Sequence, residues 1–188
     1  MTVSTAACQQ PVPLPEIKLN PNPKHKYEVV MTIRDVPRPF EKIAGNLQFD
    51  VPRDKDACIP LDQTRALGGV RNRPTKDIPL ELRKVSDTEY RGVFFTDMIL
   101  EEDYYGLGVC PWELTAVGVK LFAKPAVFST GTWQEAILSG DEQVTFAQKS
   151  LFDLSPEPID FHPMTLAGEH FPTASDFQVN FQSRKIEK

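Results

Sequence analysis

EEDYYGLGVCPWELTAVGVKLFA, residues 101–123, decides how the rest of the chain reads. Its second half alternates strictly: Thr115, Val117, Val119 and Leu121 fall on one face, and Leu114, Ala116, Gly118 and Lys120 on the other. A period of two over that length is the mark of a β-strand. Its first half is a loop, acidic and aromatic, in which Gly106 and Gly108 permit a tight turn with positive φ before Cys110. The sensible partner for Cys110 is Cys58, in a second loop that reads DACIPLD. Joining them closes a loop of roughly fifty residues, worth ~4 kcal/mol in the chain-entropy description. Trp112, two residues on, is expected to pack against the sulfurs.

Outward from that stretch the chain is a series of short strands. Tyr27, Val29, Met31 and Ile33 alternate with polar residues, as do Leu47, Phe49 and Val51. A Pro-rich break at 35–39 suggests that these two strands pair antiparallel. IPLELR (78–83) alternates too, and Pro79 marks it as an edge strand or a strand start. EYRGVFFT (89–96) carries large residues on both faces and reads as a covered, central strand. Further strands are expected at 126–129, 143–147 and 176–182. Between them, Thr132-x-x-Glu135 fits a capping box for one or two helical turns from Trp133, with Gly140 as the stop.

The fold class that follows is all-β: an antiparallel β-sandwich of seven or eight strands with long loops, or alternatively a partly open β-barrel. Seventeen prolines in 188 residues suit such an architecture and exclude long helices. Residues 1–23, with five prolines and no periodicity, read as an extended tether, leaving 24–188 as one domain. No apolar run approaches the ~20 residues of a membrane-spanning helix. A net charge of −5 gives no general reason to bind nucleic acid.

Three cysteines suggest one disulfide and one thiol with another fate. Disulfide-bonded loops belong to an oxidising compartment; the alternative is three free thiols in the cytosol. Thr5-Ala6-Ala7-Cys8 resembles the end of a lipoprotein signal, which makes Cys8 the candidate lipid anchor, although no apolar segment precedes it. A solvated tail with an incidental cysteine is the competing reading.

Chemistry-bearing motifs are sparse. His25, His162 and His170 have no zinc-ligand spacing, no GxSxG frames a serine, and no Gly-rich loop leads from a strand into a helix. The chain is therefore expected to be a binding protein without cofactors, not an enzyme. The basic run Arg71, Arg73 and Lys76 reads as a solvated loop face. Asp97, Glu101, Glu102 and Asp103 are a weak candidate for Ca²⁺, since their spacing does not match an EF-hand. Tyr104 and Tyr105, flanked by Glu102 and Asp103, have the composition of a recognition loop: the acids would steer a basic partner and the tyrosines supply contact area.

ACIPLD (57–62), GGVRNRP (68–74) and EDYYGLGVCPWEL (102–114) together resemble small exported proteins of Gram-negative bacteria. Several of these are lipoproteins, and some look like immunity proteins of secreted antibacterial effectors. The resemblance covers roughly residues 55–120. It implies a periplasmic β-domain, tethered to the outer membrane, that binds and neutralises a protein toxin. A cell-envelope module for carbohydrate or Ca²⁺ is the alternative.

Overall fold

The structure, a computed structural model, describes residues 12–64, 68–153, 160–166 and 172–186. Cys8 and His170 lie outside them. Among the described residues the strands are β1 (Lys26–Arg34), β2 (Lys42–Asp50), β3 (Leu61–Asp62), β4 (Val70–Arg71), β5 (Thr75–Leu80), β6 (Leu82–Lys84) and β7 (Glu89–Phe95). They continue with β8 (Glu113–Ala123), β9 (Ala126–Trp133), β10 (Gln143–Gln148), β11 (Asp160–Pro163), β12 (Thr165–Leu166) and β13 (Asp176–Lys185). One α-helix, α1 (Gln134–Ser139), and two 3-10 helices (Arg53–Cys58 and Lys149–Asp153) complete the set.

Two sheets make a β-sandwich. One runs β12-β10-β13-β1-β7-β6 and the other β11-β9-β8-β2-β5, while β3 and β4 form a small hairpin apart. Eight strands have six or more residues, against seven or eight expected; the strand expected at 78–83 is split between β5 and the short β6, and β3, β4, β11 and β12 are pieces that alternation over a few residues could not reveal. Within the two large sheets every pair is antiparallel except β11 with β9.

The expected pairing of the first two strands is wrong. β1 pairs with β13 and β7, whereas β2 pairs with β8 and β5, so the Pro-rich connection crosses from one sheet to the other. Alternation fixes which face of a strand is buried; it does not name the neighbour. Asp35 turns the chain out of β1 with φ 62°, a left-handed conformation that a short polar side chain tolerates. The buried faces of β1 (Val29, Met31, Ile33) and β2 (Leu47, Phe49) contribute to one core between the sheets. A second crossing falls at Glu81, between β5, an edge strand as Pro79 implied, and β6, which pairs with β7.

β7 is not covered on both sides. Gly92 and Phe94 are buried and Tyr90 packs against the core, but Val93 stands on the outer face, 48% exposed. The helix forms where expected and stops at Gly140, whose φ of 80° suits a C-terminal glycine. The capping box does not form. Thr132 belongs to β9 and donates its hydroxyl to Gln143 Oε1, and Trp133 stands at the N-cap without a side-chain bond. The phenylalanines explain themselves: Phe40, Phe128, Phe152 and Phe177 meet with ring centroids 4.9–6.2 Å apart, tilted or edge-to-face.

Candidate functional site

β7 and β8 are joined across the two sheets by residues 96–112, and the 3-10 helix Arg53–Cys58 follows β2. Cys58 and Cys110 are bonded, with Cα atoms 5.4 Å apart, so the two loops meet as expected. Both cysteines are buried, at 4% and 1% exposure. Cys110 N donates to Glu102 O at 3.0 Å, closing residues 102–110 into a compact excursion. Within it Gly106 has φ 73° and Gly108 φ 106°. A Cβ on either would meet nothing within 4 Å, so these glycines supply conformation rather than space.

The residues before β1 form part of this end. Leu19 bridges Ile99, Asn20 N donates to Met98 O at 2.8 Å, and Leu100 N donates to Lys18 O at 3.0 Å. Ile17 packs against the core. From Ile17 the chain is thus a strap laid along the domain rather than a solvated tether continuing to Pro23. The signal was hidden because a strap of two or three paired residues has too few positions to show a period.

Each acid of the expected cluster has its own local task. Asp97 accepts from the backbone N–H groups of Lys24 (2.8 Å) and His25 (3.0 Å), anchoring the strap. Burial alone would push its pKa up; those backbone donors outweigh it and hold the carboxyl below the usual range. Glu101 Oε1 accepts from Trp112 N at 3.3 Å. Glu102 pairs with Lys18 at 2.7 Å, and Asp103 Oδ1 accepts from Leu107 N at 2.9 Å. Among the described residues no three acidic, histidine or cysteine side chains gather as a cation would require. The Ca²⁺ expectation has no geometric support.

The tyrosines are committed inward. Tyr104 Oη donates to Leu100 O at 2.6 Å and accepts from Lys18 N at 3.3 Å, and its ring meets Trp112 edge-on at 6.4 Å. Tyr105 is half-buried against the core, and burial pushes its phenol pKa up. What the loop presents instead is Leu107 (54% exposed) and Val109 (59% exposed), with Glu101 and Asp103 exposed nearby in the chain. Sequence reasoning ranked the tyrosines first because aromatic residues dominate recognition loops. The alternation of Gly106-Leu107-Gly108-Val109, which leaves two apolar side chains on a glycine turn, was the better signal.

Two members of the basic run, Arg71 and Arg73, are also occupied. Arg71 and Arg73 pair with Asp56 at 3.5 and 3.6 Å, and Arg71 Nη1 donates to Ile59 O. Asn72 Nδ2 donates to buried Asp62 at 2.9 Å, closing the β3–β4 hairpin, and the Arg71 contacts to Asp56 and Ile59 tie that hairpin to the cysteine loop. On the β8 side, Glu113 takes Lys55 Nζ at 2.9 Å and Gln134 Nε2 at 3.2 Å, which lowers its pKa. Between strap and loop lies an open cleft of about 450 Å³, bordered by Asn20, His25, Asp97, Ile99, Glu101 and Trp112. Trp112 is buried, and its Nε1–H has no hydrogen-bond partner among the described residues.

No family model, curated protein or solved structure matches the chain.

Proposed function

We propose that this chain is a protein-binding domain of the bacterial periplasm, and that the disulfide-tied loop 101–112 is its recognition surface. Its sharpest form is an immunity or inhibitor role against a secreted effector. One observation carries the reading: Leu107 and Val109 are more than half exposed on a loop pinned by a disulfide and by the Cys110–Glu102 backbone bond. Exposed apolar side chains on a preorganised loop bind with little ordering cost. Lys18 pairs with Glu102, while Glu101 and Asp103 are exposed at the rim, where carboxylates favour a basic partner. The contact area then comes from Leu107 and Val109, with Tyr104 and Tyr105 serving as the frame beneath.

The disulfide supports that compartment, because such bonds persist outside the reducing cytosol. Lipid attachment at Cys8 belongs to the same proposal, and the mass of the native N-terminal peptide tests it. The binding reading is tested by isolating the partner from the native periplasm and measuring its affinity for Leu107→Ser/Val109→Ser. Affinity should fall at least about tenfold with an unchanged melting temperature, since anchors buried at an interface dominate binding. Undiminished affinity in that variant would overturn the assignment of the surface.

A further inference from the structure

A second candidate lies on the outer face of the five-stranded sheet and does not depend on the protein-binding loop. Because Leu47, Val117, Val119 and Phe128 point into the core, their alternates Asn46, Gln48, Gly118, Ser129, Gly131 and Trp133 line the opposite face. Gly118 and Gly131 are direct cross-strand partners, so no side chain rises from the middle of this face, and the Asn46 amide lies down over Gly118. A cleft of about 330 Å³ runs over it and around β9 to the mouth between the sheets. Trp133 stands at its border, 57% exposed.

Three features restrict what fits. Among the described residues that line the cleft none is ionisable, which disfavours a charged ligand. The walls carry amides and hydroxyls, and Asn46 and Gln48 each spend an N–H₂ group on a neighbouring aspartate (Asp77 at 3.1 Å, Asp50 at 2.8 Å), leaving carbonyl oxygens to accept. That disfavours a purely apolar ligand. The open edge of β9 is already capped. β11 stops opposite Ser129, and beyond it Gln143 Nε2 donates to Gly131 O at 2.9 Å while its Oε1 accepts from Trp133 N at 3.3 Å. One side-chain amide thus stands where an added peptide strand would bond, which disfavours strand addition.

We propose that this cleft binds a neutral saccharide, its ring face stacked on the Trp133 indole and its hydroxyls donating to the amide oxygens of Asn46 and Gln48. A flat apolar platform beside uncharged acceptors matches the two sides of a pyranose, and the volume lies within the ~300–1,000 Å³ of small-ligand clefts.

The test titrates the full chain with neutral trisaccharides of glucose, N-acetylglucosamine, galactose and mannose, with an extended uncharged peptide as control. The readout is the indole N–H resonance of Trp133, with buried Trp112 as the internal reference. One saccharide should shift Trp133 saturably and leave Trp112 in place. Trp133→Ala and Gln48→Ala should each weaken that binding at least about tenfold with the Trp112 resonance unchanged, as loss of a stacking platform or a ligand-facing acceptor does. The proposal is overturned if no saccharide moves Trp133, if the peptide moves it instead, or if both variants bind as the parent does.

Discussion

The disulfide-tied loops and the face of the five-stranded sheet use the same residue types for opposite ends. In the loops, glycine supplies a backbone conformation: Gly106 is left-handed, with open space where its Cβ would be. On the sheet, Gly131 supplies proximity, since a Cβ there would come within 2.4 Å of the Val117 carbonyl oxygen. Aromatic residues divide the same way, with Tyr104 bonded inward and Trp133 standing exposed. The cause is the backbone. An irregular loop must satisfy its N–H and C=O groups with side chains, so Asp97, Glu101 and Asp103 are taken up holding Lys24, His25, Trp112 and Leu107. A paired strand has settled that debt, and its outward side chains remain available.

If loops are held by side chains and a cross-link while the sheet holds itself, removing the cross-link should damage the loops most. Cys58→Ser/Cys110→Ser is expected to lose about 4 kcal/mol, from the span of 52 residues between the sulfurs. For a chain of this size that corresponds to roughly a 10 °C fall in melting temperature. Amide exchange should quicken first at Cys110 and Leu100, while β1 and β8 stay protected to higher denaturant. Equal loosening of both regions would erase the distinction. Next in size, Gly131→Ala should cost about 2 kcal/mol, because the clash is with backbone that cannot step aside. Denaturant unfolding measures it, and a neutral result would show that the face has slack.

The same contrast explains what could be read from the chain. Strands announced themselves where one face is buried along nearly the whole strand, as in β1 and β13, so that the period of two survives. In β8 it slips at a bulge opposite Gln48 and Phe49, which puts Leu114 in the core with Val117, Val119 and Leu121 while Thr115, expected on that face, bonds Asp50 instead. The disulfide was legible because two of three cysteines lay in loops between alternating segments. Strand partners were not, since six crossings between the two large sheets, among the described residues, separate neighbours in sequence from neighbours in space. The short pieces β11 and β12 also escaped notice: four and two residues cannot display a period. In the loops, residue type misled. Tyr104 and Tyr105 have the composition of a binding surface, yet the loop needed Tyr104's hydroxyl for Leu100. The exposed Trp133 was hidden for another reason, because a helix-start pattern at 132–135 overlaid the end of β9.

Gly106→Ala probes the loop's use of glycine directly. The added methyl meets no atom, so its whole cost is conformational, about 1 kcal/mol for an L-residue held at φ 73°. The loss should be half that of Gly131→Ala, and Gly106→Asn should recover part of it, because asparagine visits the left-handed region more readily. Recovery would separate conformation from contact; no Asn benefit would mean that the loop relaxes into another turn.

The smallest expected effect is the most local. Asp97 is held below the ordinary aspartate value by the backbone donors of the strap, which outweigh its partial burial. A carboxyl with a lowered folded pKa favours the folded state above its unfolded value, and loses that contribution as pH falls through the folded one. Between those two values the unfolded chain binds a proton that the native chain does not, so stability rises with pH there. Asp97 is partly exposed, which limits the contribution to below about 1 kcal/mol. Asp50 and Glu113 are lowered as well, so the parent's acid slope will not vanish in Asp97→Asn; it should become shallower below pH 3.8. The site of the change is the sharper readout. The Lys24 and His25 amides donate to this carboxylate, so their protection against exchange, taken relative to the intrinsic rate, should fall in acid in the parent and be low at every pH in the variant. Amides in the β8–β9 ladder have no such partner and should not follow, and a common acid response in both would mean that strap and sheet open as one unit.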